Sequence, residues 1–186
     1  MIITTLDVET TFIKDHKGRT NPTPFVPNLL VSIGYSSYNT ETEEEYKGYL
    51  CFNHNEEAPH EGGFDEVQQV LHDTDLLVGH NIKFDLQWLL TCNFEYEGPV
   101  YDTMVTEYLF LRSRKLSLKL VDVLKRRKLA DKRTDLTEDY LSKGVGFDAM
   151  PWEVVEEYGR QDVDSTWELA LAQLTELECG WEEFVV

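Results

Sequence analysis

TTLDVETTF, residues 4–12, predicts the central strand around which we expect this chain to fold. Its first half, like the residues before it, is apolar or β-branched, which is typical of a central β-strand. Side chains two positions apart on a strand point to the same face, so Asp7 and Glu9 should lie side by side. Two like charges about 4 Å apart repel by about 4 kcal/mol at an effective dielectric near 20. The pair indicates a bound cation, although a turn-capping Asp7 and a solvated Glu9 explain these two residues equally well.

Composition is that of an ordinary globular protein, with 41% hydrophobic and 12% aromatic residues among 186. We expect residues 1–186 to form a single domain and a monomer. The sequence shows neither a membrane-spanning apolar run nor a signal peptide, so we expect a cytoplasmic protein, in the host cytoplasm if it is viral. The odd number of cysteines suits a reducing compartment. Cys51, His54 and His60 match no familiar zinc-ligand spacing.

Positive charge is concentrated in residues 112–133, which hold ten basic residues against two aspartates in a chain of net charge −18. A basic surface on an acidic protein is typical of a site for a polyanion. Taken alone, the segment is better explained as the solvated face of a helix. The interpretation of this segment as a polyanion site therefore depends on whether the chain also has a site that acts on a polyanion.

The periodicity of apolar residues predicts an α/β fold. We expect strands over residues 2–8, 29–35, 46–52 and 76–79, and helices from about residue 64, over 83–91, 103–111 and 117–128, and from Pro151 onward. Residues 14–27 hold three prolines and should form a loop. The order of these elements predicts a mixed β-sheet, with three antiparallel strands plus parallel strands, flanked by helices.

Further acidic positions point toward the same site. Asp85 interrupts an otherwise apolar helix directly after a short strand. Tyr158 and Asp162 are four apart on a helix and so share one face, beside the apolar stripe of that helix. A buried aspartate needs a partner. An isolated Tyr158 would be better explained as a core aromatic residue.

Three short motifs together resemble a known family: Asp7-x-Glu9, Asn81-x-x-Phe84-Asp85 and Tyr158-x-x-x-Asp162. They are similar to the exonuclease motifs of the DEDD superfamily in its tyrosine branch, DEDDy. GHNIKFD (79–85) and YGRQDVDST (158–166) most resemble the 3′–5′ proofreading exonuclease domain of the DNA polymerase I family. The likeness extends from residue 2 to about residue 175 and implies a ribonuclease H-like fold. The histidine branch would need His where this chain has Glu157.

The resemblance implies a two-metal-ion phosphodiester hydrolase that uses Mg²⁺ or Mn²⁺. Asp7 would bridge the two ions, Glu9 and Asp162 would complete the first site, and Asp85 would hold the second ion through water. Tyr158 would orient the attacking water, with Glu9 helping to align it. The product would be a nucleoside monophosphate released from a 3′ end.

Substrate contacts are implied at four positions near these motifs. Thr10 would lie near the terminal sugar, Phe12 and Ile13 would form an apolar wedge against the terminal base, and Asn81 would contact the strand. Core packing explains Phe12 and Ile13 equally well. In the basic segment, Arg126 and Arg127 are the predicted phosphate contacts, and their joint removal should lower the salt dependence of binding by about two units.

The expected partner is the 3′ end of single-stranded DNA, in replication or repair, with or without a separate DNA polymerase. RNA is also possible, because ribonuclease D and RecQ-associated exonucleases share the tyrosine branch. Two further alternatives are a non-catalytic module that docks a polymerase or holds a strand, and another enzyme of the ribonuclease H-like fold, such as an endonuclease.

Overall fold

A mixed β-sheet forms the centre of the protein, as described by a computed structural model over residues 1–14, 18–25, 27–112, 114–129 and 135–185. The strands are β1 (Ile2–Thr10), β2 (Ile13–Lys14), β3 (Thr20–Asn21), β4 (Leu30–Asn39), β5 (Glu45–Cys51), β6 (Leu76–Gly79) and β7 (Val100–Asp102). Five of them form one sheet in the order β5-β4-β1-β6-β7. β1 pairs with β4 and β4 with β5 in antiparallel fashion, whereas β6 pairs in parallel with β1 and β7. The predicted mixture of pairings is confirmed.

Six helices are described: α1 (Gly63–Asp73), α2 (Ile82–Thr91), α3 (Thr103–Leu111), α4 (Leu120–Arg127), α5 (Asp135–Ser142) and α6 (Trp152–Leu177). A 3-10 turn, Trp181–Phe184, follows them. Among the helices of the described part of the chain, none is both long enough and apolar enough to cross a lipid bilayer.

The two faces of β1 have different partners. Leu6 and Val8 belong to a core cluster that also contains Trp88 of α2. Ile3, on the opposite face, packs in a second cluster with Leu174 of α6. Because side chains alternate along a strand, Asp7 and Glu9 share the face of Ile3, which is the face that α6 covers. This alternation directs both carboxylates toward the long helix.

Several predicted boundaries were wrong. β4 continues to Asn39 because it pairs with the whole length of β1. The predicted loop over residues 14–27 contains one strand of the short β2–β3 hairpin and the end of the other. α4 begins only at Leu120, because Lys119 has an extended backbone with ψ of 138°. β7 was missed: it is three residues long and exists through its pairing with β6.

The sequence of residues 130–150 has a mixed pattern broken by Gly144 and Gly146, and α5 lies before these two glycines. Residues 130–134 of that range are outside the described part of the chain.

Candidate metal centre

β1 and α6 bring three carboxylates together. Asp7 is half-buried, while Glu9 and Asp162 are 8% and 7% exposed. Oxygen atoms of the three side chains all lie within 4.8 Å of one another. The register between β1 and β4 shifts between Glu9 and Thr10, and such a bulge at the end of a ladder can redirect a side chain. An all-oxygen, acidic set of this kind fits Mg²⁺ or Mn²⁺, which prefer carboxylate ligands.

Asp85 lies beside this cluster, in the first turn of α2. It is buried, and its Oδ1 accepts a hydrogen bond of 3.1 Å from the backbone N–H of Val8, the residue between the two β1 carboxylates. Burial raises the pKa of Asp85 well above its ordinary value, and the nearby charges of Asp102 and Asp162 raise it further. The Val8 N–H opposes that rise. Asp85 is therefore a neighbour of the three carboxylates, Asp7, Glu9 and Asp162, whose oxygens lie within 4.8 Å of one another.

Tyr158 lies one helical turn before Asp162 and forms a hydrogen bond with it. Burial, followed by the negative charges of Asp162, Glu9 and Asp7, raises the pKa of the Tyr158 phenol above its ordinary value of 10.0. The phenol therefore stays protonated at neutral pH, where it can donate a hydrogen bond but cannot accept a proton from water. This property favours the predicted orienting role over a role as general base.

Replacing Tyr158 with phenylalanine is expected to lower kcat by about 100-fold, because loss of one orienting group can misplace the reacting atoms by that much. The Mn²⁺ affinity should also fall, by about 10-fold, because the hydrogen bond to Asp162 is lost, so kcat is compared at saturating Mn²⁺, where KM should stay close to that of the wild type.

Single-turnover degradation of a labelled strand checks this expectation. Tyr108→Phe, which removes an exposed hydroxyl, is the matched control. Equal rates for the two variants would contradict the assigned role.

The predicted substrate contacts differ in their surroundings. Thr10 is buried at the end of β1, and Phe12 is half-buried, with its ring close to Gly146. Ile13 is 38% exposed, which favours the wedge over core packing for this residue. Asn81 is exposed at the start of α2 with a positive φ of 64°, four residues before Asp85.

Arg126 and Arg127 are both bound to Glu107 of α3. Arg126 Nη2 lies 2.9 Å from Glu107 Oε1, and Arg127 Nε lies 2.6 Å from Glu107 Oε2. Arg127 also pairs with Glu176, and its guanidinium lies over the ring of Phe110. These partners give both arginines a structural role and do not support the predicted phosphate contact.

Sequence reasoning missed two polar residues beside the site. Asp102 accepts hydrogen bonds from the backbone N–H of Asn81 and from the first turn of α3. Its signal was its position directly before a predicted helix, where aspartate is a common cap. His80 lies within hydrogen-bonding distance of Thr103 Oγ1 and the Leu118 carbonyl, at 2.8 Å each. Nothing local in the sequence indicates this pair of contacts.

Comparisons with known proteins agree with this geometry. A family model described as 3′–5′ exonuclease matches residues 43–178, a range that includes Asp85, Tyr158 and Asp162. DNA polymerase I of Borreliella burgdorferi is 32% identical over 93 residues, which are 50% of this chain and 10% of that protein. The chain therefore spans about a tenth of this curated relative.

Solved structures of nucleases have the same fold. An apo form of a nuclease has a TM-score of 0.62 at 16% identity, covering 95% of this chain and 73% of that one. Brucella melitensis NrnC with bound Mg²⁺ has a TM-score of 0.60 at 15% identity with the same coverage, and NrnC bound to pGG has 0.57. These likenesses confirm the predicted ribonuclease H-like fold. With its family model matched over most of its length, the chain belongs to the 3′–5′ exonuclease family, resembling that of DNA polymerase I.

Proposed function

We propose that residues 1–186 form a metal-dependent 3′–5′ exonuclease domain that releases nucleoside monophosphates from single-stranded DNA, alone or with a separate polymerase. The convergence of Asp7, Glu9 and Asp162 within 4.8 Å carries this proposal. DNA as the substrate is supported by the relation to a DNA polymerase I. Exoribonuclease activity is the second candidate, favoured by the likeness to NrnC, which was solved with bound pGG.

Asp7, Glu9 and Asp162 would hold the metal, with Asp85 as the neighbouring carboxylate. Divalent ions in such a centre stabilise both the attacking and the leaving oxygen of an in-line displacement at phosphorus. Tyr158 donates its single hydroxyl hydrogen to Asp162, so its oxygen would accept a hydrogen bond from the attacking water and fix the direction from which that water approaches.

The terminal nucleotide would enter between β1 and the start of α2. Thr10 and Asn81 lie at these two positions, each within a few residues of a carboxylate of the site. Ile13, which is exposed just beyond β1, would separate the terminal base from its neighbour. Phe12 supports this wedge from its half-buried position.

The path of the strand beyond the terminal nucleotide follows residues 114–119. The Leu118 carbonyl forms a hydrogen bond with His80, the residue directly before Asn81, so this segment lies next to the site. Arg114, Lys115 and Lys119 are exposed along it. These cations replace Arg126 and Arg127 as the proposed phosphate contacts.

Joint replacement of Lys115 and Lys119 by alanine is expected to lower the slope of log affinity against log salt by about 1.4, since each phosphate contact on a single strand contributes about 0.7. Binding titrations from low to moderate salt measure this slope. Joint replacement of Lys125 and Lys128, which are also exposed, removes the same charge from the other end of α4 and should leave the slope unchanged. A larger effect of the second pair would place the strand along α4 instead.

The proposed activity is tested with 5′-labelled DNA and RNA strands in Mg²⁺ or Mn²⁺, with EDTA as the control. A ladder that shortens from the 3′ end, while a circular strand stays intact, is the expected result. Cleavage of the circle would indicate an endonuclease. Metal and strand binding without any cleavage would indicate a non-catalytic module, and cleavage of RNA alone would favour the second candidate.

A further inference from the structure

Tyr49 of β5 lies in a slot that two glycines leave open between the sheet and α6. On the sheet side, Tyr49 is in register with Gly34 of β4, which is itself in register with Asp7 of β1. A Cβ atom at Gly34 would come within 2.9 Å of the Tyr49 ring. On the helix side, a Cβ atom at Gly159 would overlap the ring and its hydroxyl. The ring therefore fits because both positions lack a side chain.

The Tyr49 hydroxyl connects the sheet to the first turn of α6. It donates a hydrogen bond of 3.0 Å to the carbonyl oxygen of Val155. Ser32 Oγ lies 2.9 Å away on its other side. Because the phenol has a single hydrogen, Ser32 acts as the donor to it. Ser32 is in register with Glu9, so this connection runs directly beside the carboxylate centre.

The position of Val155 fixes the position of the site residues on the same helix. Tyr158 and Asp162 follow Val155 within two turns, and an α-helix transmits a displacement of one turn to the next. Trp152, at the start of α6, also packs against the Tyr49 ring, with ring centroids 5.6 Å apart. Together with the packing of Ala170 and Leu174 against the sheet, these contacts of Tyr49 hold α6 beside β1.

We infer that Tyr49 is a positioning residue of the metal centre: its hydroxyl holds α6 at the separation from β1 at which the three carboxylates bind metal. This inference rests on the function proposed above. Tyr49 touches none of the reacting atoms in this scheme and acts through α6.

The electrostatic environment agrees with this location. Burial raises the pKa of Tyr49 well above its ordinary value, and the charges of Glu9, Asp7 and Asp162 contribute in the same direction. The nearby carboxylates are those of the metal centre.

Tyr35 of β4 provides a matched control. It is also buried, and its hydroxyl donates a hydrogen bond of 2.6 Å to Glu66 of α1. Tyr35→Phe removes a hydroxyl of the same kind without breaking the connection to α6. A purely structural effect should be similar in the two variants.

Mn²⁺ binding, measured by electron paramagnetic resonance, and single-turnover cleavage of single-stranded DNA test the inference. Tyr49→Phe is expected to weaken Mn²⁺ binding about 10-fold, as loss of a supporting contact at a metal site commonly does. Its cleavage rate should recover as Mn²⁺ is raised, with KM for the strand unchanged. Tyr35→Phe should keep wild-type Mn²⁺ affinity, whatever its effect on Tm.

A second variant changes the helix side of the slot that holds Tyr49. Gly159→Ala keeps the hydroxyl but displaces the ring, and it should weaken Mn²⁺ binding as Tyr49→Phe does. Wild-type Mn²⁺ affinity in Tyr49→Phe, or equal losses in Tyr49→Phe and Tyr35→Phe, would overturn the inference. If the wild type binds Mn²⁺ but cleaves no strand, the proposed function fails, while the comparison of Mn²⁺ affinities still decides the role of Tyr49.

Discussion

Asp162→Asn is expected to lower the rate of strand cleavage by about a thousandfold or more. The change removes one of three converging carboxylates while keeping the shape of the side chain. A metal centre contributes several kcal/mol to the stabilisation of the transition state, and about 4 kcal/mol corresponds to a thousandfold in rate. Single-turnover cleavage in saturating Mg²⁺ measures the loss.

The same substitution should stabilise the metal-free protein. Three carboxylates within 4.8 Å repel one another, so removing one charge should raise stability by about 1 kcal/mol or more, or about 2 to 4 °C in Tm. Added Mg²⁺ should then raise Tm in the wild type and much less in Asp162→Asn. Asp164→Asn is the control, since Asp164 lies two residues further along α6, is exposed and pairs with Lys47. Equal activity of the two variants would exclude Asp162 from the metal centre.

Glu107→Gln is expected to lower the free energy of unfolding by about 3 kcal/mol, or about 6 to 12 °C in Tm. The Glu107 side chain is 3% exposed and pairs with both Arg126 and Arg127. Gln173 also hydrogen-bonds to Glu107 Oε2, at 3.4 Å. Without the carboxylate, two partly buried guanidinium groups would share one neutral amide. Chemical denaturation at neutral pH measures the difference.

Glu176→Gln tests whether burial is the cause of this effect. Glu176 also pairs with Arg127 but is 51% exposed, so its loss should change stability by less than about 1 kcal/mol. Equal destabilisation by the two substitutions would contradict the explanation.

Acid should diminish the contribution of Glu107. Burial alone would raise the pKa of Glu107, but its hydrogen bonds with Arg126 and Arg127 outweigh burial and lower the pKa below the ordinary value of 4.5. A carboxyl group with a lowered pKa stabilises the folded protein above the unfolded-state pKa, and this contribution is lost as pH falls through the folded-state pKa. The difference between the wild type and Glu107→Gln should therefore be constant near neutral pH and decrease below pH 4.5.

The carboxylates of the site could be predicted because their spacing is local. A spacing of two residues on a strand places Asp7 and Glu9 on one face, and a spacing of four residues on a helix places Tyr158 and Asp162 on one face. The mixed sheet could be predicted from the order of the strands and helices along the chain. A shared face needs only the periodicity of a single element, whereas the convergence of Asp7 and Glu9 with Asp162 was implied by the resemblance to a known family.

Contacts between distant elements could not be predicted in this way. Arg126 and Arg127 form part of a basic run in the sequence, and their partner Glu107 lies on another helix. Charge composition alone cannot distinguish a guanidinium that faces solvent from one that closes a buried ion pair. The role of Tyr49 depends on its register with Gly34 and on its contact with α6, and the sequence specifies neither locally.

The arrangement of the carboxylates also bears on the synthesis of the protein. β1 leaves the ribosome before α6, which emerges only after the rest of the sheet has been made. While the residues between β1 and α6 are being made, a nascent chain therefore carries Asp7 and Glu9 without Asp162. An unfinished copy that lacks α6 cannot assemble the centre of three carboxylates, so completion of the centre waits for the last long helix.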